Sequence, residues 1–277
     1  TIYSMNVVTL YFGLFLRHNW GLDSESFGWA LTAASLVVAV SSPMLGALSD
    51  MNQQRLPFLR LFAVLTALFT IFIGYSSSYQ FAVLWFVLSN VTYNVAANFY
   101  QALLPGISTE ENVNRVSSIG VALGYMGTIV GLATVMLLVG DDPTRYHEAF
   151  LYTAILFFVF AIPCLTVVPD FVPPGRGVKL DFGDAYRRIL TTFKGARQYP
   201  GLFRFLIADF IYENAVSAAI GFMAVYAFTT VGMPQDELVY FLLFSTVFAV
   251  LIGLVYGRVV DKIGPKRSIL VTLTVWA

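Results

Sequence analysis

Asp209 and Glu213 stand one helical turn apart inside an otherwise apolar run, Leu202 to Phe228. Carboxylates at i and i+4 share one face of a helix, and Tyr212 and Asn214 flank them. Such a pair can bind a proton, a cation or the donor groups of a polar solute. It is poorly placed for general acid–base work, because one turn of one helix does not flank a scissile bond. If the run crosses a bilayer, each acid costs on the order of 2.5–3.5 kcal/mol at the helix centre, against about −0.3 to −0.6 for each Leu or Phe. An ionisable group kept at that cost is a functional candidate. Glu213 lies the deeper of the two, and Asp209 lies nearer the end that carries Arg204.

A second polar set recurs every four residues: Asn90, Asn94 and Asn98, with Tyr93 and Gln101 beside them. Lipid penalises such a face, so it should turn into a bundle. There it either lines a cavity or makes interhelical hydrogen bonds, each worth about 0.6 kcal/mol. Tyr3 and Asn6, in the first apolar run, are the next candidates for a solute site. Gly120, Gly124, Gly127 and Gly131 form a small-residue stripe suited to close helix packing. Enzyme chemistry finds little support. His18 and His147 lack the HExxH spacing, no GxSxG occurs, and the single Cys164 has no neighbouring base. No metal site and no cofactor is expected. An intramembrane enzyme is therefore the weakest reading, while a receptor or assembly factor without transport activity stays open.

The elements that carry these residues follow from composition. Only 12% of the 277 residues are charged and 58% are hydrophobic, whereas soluble domains carry about 25% charged residues. The expected fold class is an all-α membrane protein. Eight long apolar runs cover roughly 2–16, 27–48, 57–75, 81–104, 116–139, 150–168, 202–228 and 238–260, followed by a ninth cut short at 268–277. Helices satisfy their own backbone hydrogen bonds in lipid, and about 20 apolar residues cross roughly 30 Å of hydrocarbon. The alternation required of a membrane barrel is lacking. The chain opens and closes inside apolar runs, as expected of a piece of a longer protein.

Lys and Arg set the orientation. All but Arg17 and Arg145 fall in alternate connections, which the positive-inside rule places in the cytoplasm together with the amino terminus. The formal net charge is zero and no basic tail occurs, so no nucleic-acid partner is expected. The organisation reads as a six-helix bundle over 1–168, a cytoplasmic linker over 169–201 and a partial second bundle over 202–277. Within the linker, Tyr186, Ile189, Leu190 and Phe193 form an apolar stripe bordered by Arg187, Arg188, Lys194 and Arg197. That pattern predicts a helix lying on the anionic leaflet.

Two cytoplasmic connections share a pattern. After the eighth run comes "GRVVDKIGPKR", with Gly257, Asp261, Lys262, Gly264, Lys266 and Arg267. After the second comes "GALSDMNQQR", with Gly46 and Asp50 at the same spacing and Arg55 answering a later basic position. The pair resembles the loop motif of the major facilitator superfamily, and the first copy lacks its central Gly and paired basic residues. "YSMNVVTLYFGLFL", "FYQALLPGISTEENVNRVSSIGVALGYMG" and "FLIADFIYENAV" further resemble the vacuole-effluxer-like family, a branch that includes autophagy-related amino-acid effluxers. The resemblance implies a major facilitator fold, with two six-helix bundles in the full protein. It implies a secondary transporter that moves a small polar solute, amino acids in efflux among the options, by alternating access. It also implies a multi-pass protein of a prokaryotic cytoplasmic membrane, its partners the lipid bilayer and a small-molecule substrate. Many proton-coupled relatives carry an Arg in span 4, and this span has none. The resemblance, together with the acidic pair Asp209 and Glu213, implies coupling to protons or another ion by a route other than that Arg.

Overall fold

The computed structural model describes residues 2–21, 24–52, 55–109, 112–140, 142–168, 182–196 and 198–276. Each of the eight runs is an α-helix, and no strand occurs among the described residues. In chain order the elements are α1 (Ile2–Trp20), α2 (Ser24–Asn52), α3 (Leu56–Gly74), α4 (Tyr79–Ala102), a single turn α5 (Leu104–Ile107) and α6 (Val113–Val139). They continue with α7 (Tyr146–Val167), the linker helix α8 (Phe182–Ala196), α9 (Pro200–Thr229), α10 (Gln235–Ile263) and α11 (Pro265–Trp276). Spans 1 to 4 are thus α1 to α4, spans 5 and 6 are α6 and α7, and spans 7 and 8 are α9 and α10. Four stretches, Phe27–Leu48, Leu56–Gly74, Val113–Val139 and Pro143–Val167, are long and apolar enough to cross a membrane on length and composition alone.

Local chemistry explains the breaks. The fourth run was expected to reach residue 104, but α4 stops at Ala102. Pro105 has no N–H and disfavours helical geometry in the residue before it. Gly140 and Gly264 close α6 and α10 with φ of 64° and 82°, a region side chains avoid. Pro43 and Pro163 lie within α2 and α7 without ending them.

The first six spans pack together. α3 lies against α4 and α7, α2 against α4, and α1 against α4, α6 and α7. Their buried core runs from Val7 to Leu165. Phe12 stacks on Phe86 at 3.9 Å, and Phe15 meets Phe150 edge-on at 5.3 Å. Lipid is as apolar as these side chains, so close van der Waals fit and interhelical hydrogen bonds hold such helices together. Both occur between α3 and α4. Thr66 Oγ1 donates to Thr92 Oγ1 at 3.1 Å, and Thr70 and Ser89 share a hydrogen bond of 2.8 Å. At the end of α3, a Cβ on Gly74 would sit 2.5 Å from the His147 carbonyl oxygen, so only glycine lets α3 approach the start of α7.

Two arginines close the ends of distant helices. Arg55 donates from Nη1 to the Ala102 carbonyl at the end of α4, and Arg60 donates from Nε to the Leu165 carbonyl near the end of α7, at 2.9 Å. The last carbonyls of a helix lack intrahelical partners and carry partial negative charge, so a guanidinium there satisfies both. The linker helix α8 packs on α2 and α9, leaving Tyr186, Arg187, Leu190 and Lys194 exposed.

Candidate functional site

The loop motif acquires its physical meaning at the packing of α10 on α6. A Cβ on Gly257 would lie 2.7 Å from Ser118 Oγ and 3.3 Å from Ser118 Cβ. Glycine is therefore what brings α10 onto the first turns of α6. Asp261 follows one turn later, about 6 Å along the axis. Gly264, with its positive φ, turns the chain from α10 into α11 and donates its N–H to the Val260 carbonyl at 2.9 Å. Tyr256 then ties α10 to α11 through its hydroxyl, to the Ser268 carbonyl and to Thr272. Lys262, Lys266 and Arg267 are exposed, as an anchoring basic cluster requires. The side chains of Asp50 and Asp261 lie outside the described residues, as do those of Tyr3 and Asn6.

The asparagine stripe divides. Asn90 is buried and donates Nδ2 to the Phe86 carbonyl at 3.1 Å, while Asn94 donates to the Asn90 carbonyl at 2.8 Å. A carbonyl accepts only from the NH₂ of the amide, so each of these side chains turns its Oδ1 away from the helix. Asn98 makes no such bond among the described residues. It borders a cavity of about 130 Å³ between α2 and α4, with Ser42, Gly46 and Arg55. That lining contains no α9 residue among those described.

On α9, Asp209 is half-buried and Glu213 is exposed. Depth along the helix suggested the reverse order of wetness. The difference arises because Asp209 shares its less exposed face with Tyr212 and Val216, whereas Glu213 stands on the flank of that face. Tyr212 lies within electrostatic reach of both carboxylates. Asn214 donates Nδ2 to the Phe210 carbonyl at 2.6 Å and so also presents an acceptor. A wider groove of about 600 Å³ runs along the start of α10, lined by Met233, Glu237, Tyr240 and Phe244 among others. It holds none of the residues singled out in the sequence.

No group of three or more His, Cys, Asp or Glu side chains suited to a metal occurs among the described residues. Cys164 is a half-buried thiol. Sequence reasoning missed Ser42 and Ser118 altogether. Ser42 carries no pattern of its own, and Ser118 matters only because Gly257 comes to rest on it. It counted Arg55 and Arg60 as charges for orientation and did not anticipate that each closes a distant helix.

Comparison with known proteins agrees with this geometry. The family model described as Major Facilitator Superfamily matches residues 1–276. The chain is 24% identical over 294 residues to an uncharacterised MFS-type transporter, YxiO, of Bacillus subtilis (strain 168), covering 99% of this chain and 68% of the relative. It is 25% identical over 280 residues to an uncharacterised protein of Aquifex aeolicus (strain VF5), covering all of this chain and 67% of that protein. No solved structure matches the chain.

Proposed function

The chain belongs to the major facilitator superfamily, and on that footing we propose that it carries a small polar solute across a prokaryotic cytoplasmic membrane by alternating access. It is an integral, multi-pass membrane protein of a transporter family. Amino acids moving outward are the first substrate class to test, on the strength of the effluxer-like segments in spans 1, 4, 5 and 7. Residues 1–168 and 202–277 act as two halves joined by the linker 169–201. In this reading the solute sits between them near mid-membrane.

The packing of Gly257 on Ser118 is the observation that carries the reading. It sets the loop motif at a contact between the two proposed halves, where a rocking motion would open or close the cytoplasmic side. Asn90 and Asn94 from α4, Asp209 and Glu213 from α9, and Tyr3 and Asn6 from the first run are the proposed solute contacts. Asp209 and Glu213 are the proposed groups for coupling to protons or another ion, since a carboxylate in a watered cavity escapes most of the cost of hydrocarbon.

The test is efflux and uptake of labelled amino acids by the intact protein in proteoliposomes. Glu213→Gln should reduce the rate at least tenfold while membrane insertion stays normal, and Asp209→Asn should reduce it less. Wild-type rates from Glu213→Gln would remove that carboxylate from the mechanism.

A further inference from the structure

The linker helix α8 presents a mixed apolar and basic face that solute transport does not use. We propose that this face binds the headgroups of anionic phospholipids and holds α8 along the membrane surface beside α2 and α9. The helix has 15 residues and so runs about 22 Å. Its side rests on α2 and α9. Only residues 197–199 separate it from Pro200, the start of α9. That link reaches at most about 14 Å. Leu202, Phe205 and Leu206 are exposed in the first turns of α9 and need hydrocarbon around them. The end of α8 is therefore held at headgroup level.

The outward face has the chemistry of that layer. At 3.6 residues per turn, Tyr186, Leu190, Lys194 and Arg187 fall within an arc of about 100°. All four are exposed, Tyr186 by 63% and Leu190 by 43%. Among the described residues, no ion pair or side-chain hydrogen bond engages Arg187 or Lys194. The helix carries Arg187, Arg188 and Lys194 against Asp184, in a chain whose formal net charge is zero.

Charge and apolarity together select the partner. Hydrocarbon alone would reject Arg187 and Lys194, and water alone would leave Tyr186 and Leu190 without apolar contact. A headgroup layer serves both kinds of side chain. Its phosphates pair with the cations, and the acyl boundary receives the ring and the leucine. Anionic lipids add long-range attraction for each Lys and Arg near the surface. The face stands apart from the proposed solute contacts and does not depend on which solute is carried.

The experiment attaches an apolar, polarity-sensitive fluorophore at Leu190→Cys in the intact protein, with the native thiol removed by Cys164→Ala. The labelled protein is reconstituted in phosphatidylcholine vesicles containing rising fractions of phosphatidylglycerol. Both leaflets carry the same lipid, so the result is independent of orientation. Emission should move to the blue saturably with the anionic fraction, and spin-labelled headgroups should quench it more strongly. Arg187→Gln and Lys194→Gln should each weaken that response about fivefold, the contribution of one basic residue at an anionic surface. Arg187→Lys should retain it. Raising salt from about 0.1 to 1 M shortens the screening length from about 10 to 3 Å and should weaken the response in the unsubstituted face. Inorganic phosphate added to pure phosphatidylcholine vesicles should produce no shift. A signal indifferent to phosphatidylglycerol, an equal response in both Gln variants, or the same shift with free phosphate would overturn the proposal.

Discussion

The contact between Gly257 and Ser118 allows a quantitative test of the α6–α10 packing. Gly257→Ala adds a methyl whose carbon would lie 2.7 Å from Ser118 Oγ and 3.3 Å from its Cβ. Carbon atoms in good contact stand about 3.5–4.0 Å apart. The hydroxyl can rotate, but Ser118 Cβ moves only with α6, so the helices must part by a few tenths of an ångström. Overpacking of this kind costs about 1–3 kcal/mol. Replacing Gly by Ala inside a helix returns about 0.8–1.0 kcal/mol. Gly253 is the internal control: it lies on the same helix one turn away, and its added Cβ meets nothing within 4 Å among the described residues. Gly253→Ala should therefore stabilise the protein, and Gly257→Ala should be less stable than it by about 1–3 kcal/mol, at roughly 2–4 °C per kcal/mol. Thermal melts of the intact protein in one detergent measure the difference, and Ser118→Gly added to Gly257→Ala should recover most of it. Equal stability of the two alanine variants, or no recovery on removing the Ser118 side chain, would refute the close-packed seam.

Three further outcomes are expected. Gly264→Ala should cost about 1–3 kcal/mol in a melt, since φ of 82° with ψ of 155° is open essentially to glycine alone. Thr70→Val should destabilise by about 1 kcal/mol by leaving Ser89 without its partner, and adding Ser89→Ala should restore much of the loss in a double-mutant cycle. In the connection between α6 and α7, hydrogen bonds from the Thr144 hydroxyl and amide hold the Asp142 carboxyl below its ordinary range. A depressed carboxylate stabilises the fold above its unfolded pKa of about 3.9, and the benefit disappears as pH falls through the folded value. Thr144→Ala should therefore raise the Asp142 titration midpoint toward the ordinary range, as read by carboxyl-labelled NMR.

Legibility varied with the reach of the interaction concerned. The extent of each helix was readable because it follows from contiguous apolar residues, and errors of a few residues arose at ends such as Ala102, where Pro105 acts locally. Gly257 and Gly264 were readable as a motif, and the structure assigns them different tasks, one for close approach and one for a left-handed turn. Asn90 and Asn94 were readable as a polar face. That both amides donate back to their own helix, with Oδ1 turned away from it, depends on rotamers that spacing does not encode.

The sequence by itself determined the membrane class and the extent of the long apolar helices. Bilayer thickness and backbone hydrogen bonding act on contiguous residues, so no knowledge of neighbours is needed. Only the tertiary structure decided that Thr66 meets Thr92 and Thr70 meets Ser89, that Arg55 and Arg60 close α4 and α7, and that Ser42 faces a cavity with Asn98. It also decided that Asp209 is more enclosed than Glu213. Each of these depends on how one helix is rotated and raised against another, and that is fixed by the fit of many weak contacts spread along both helices.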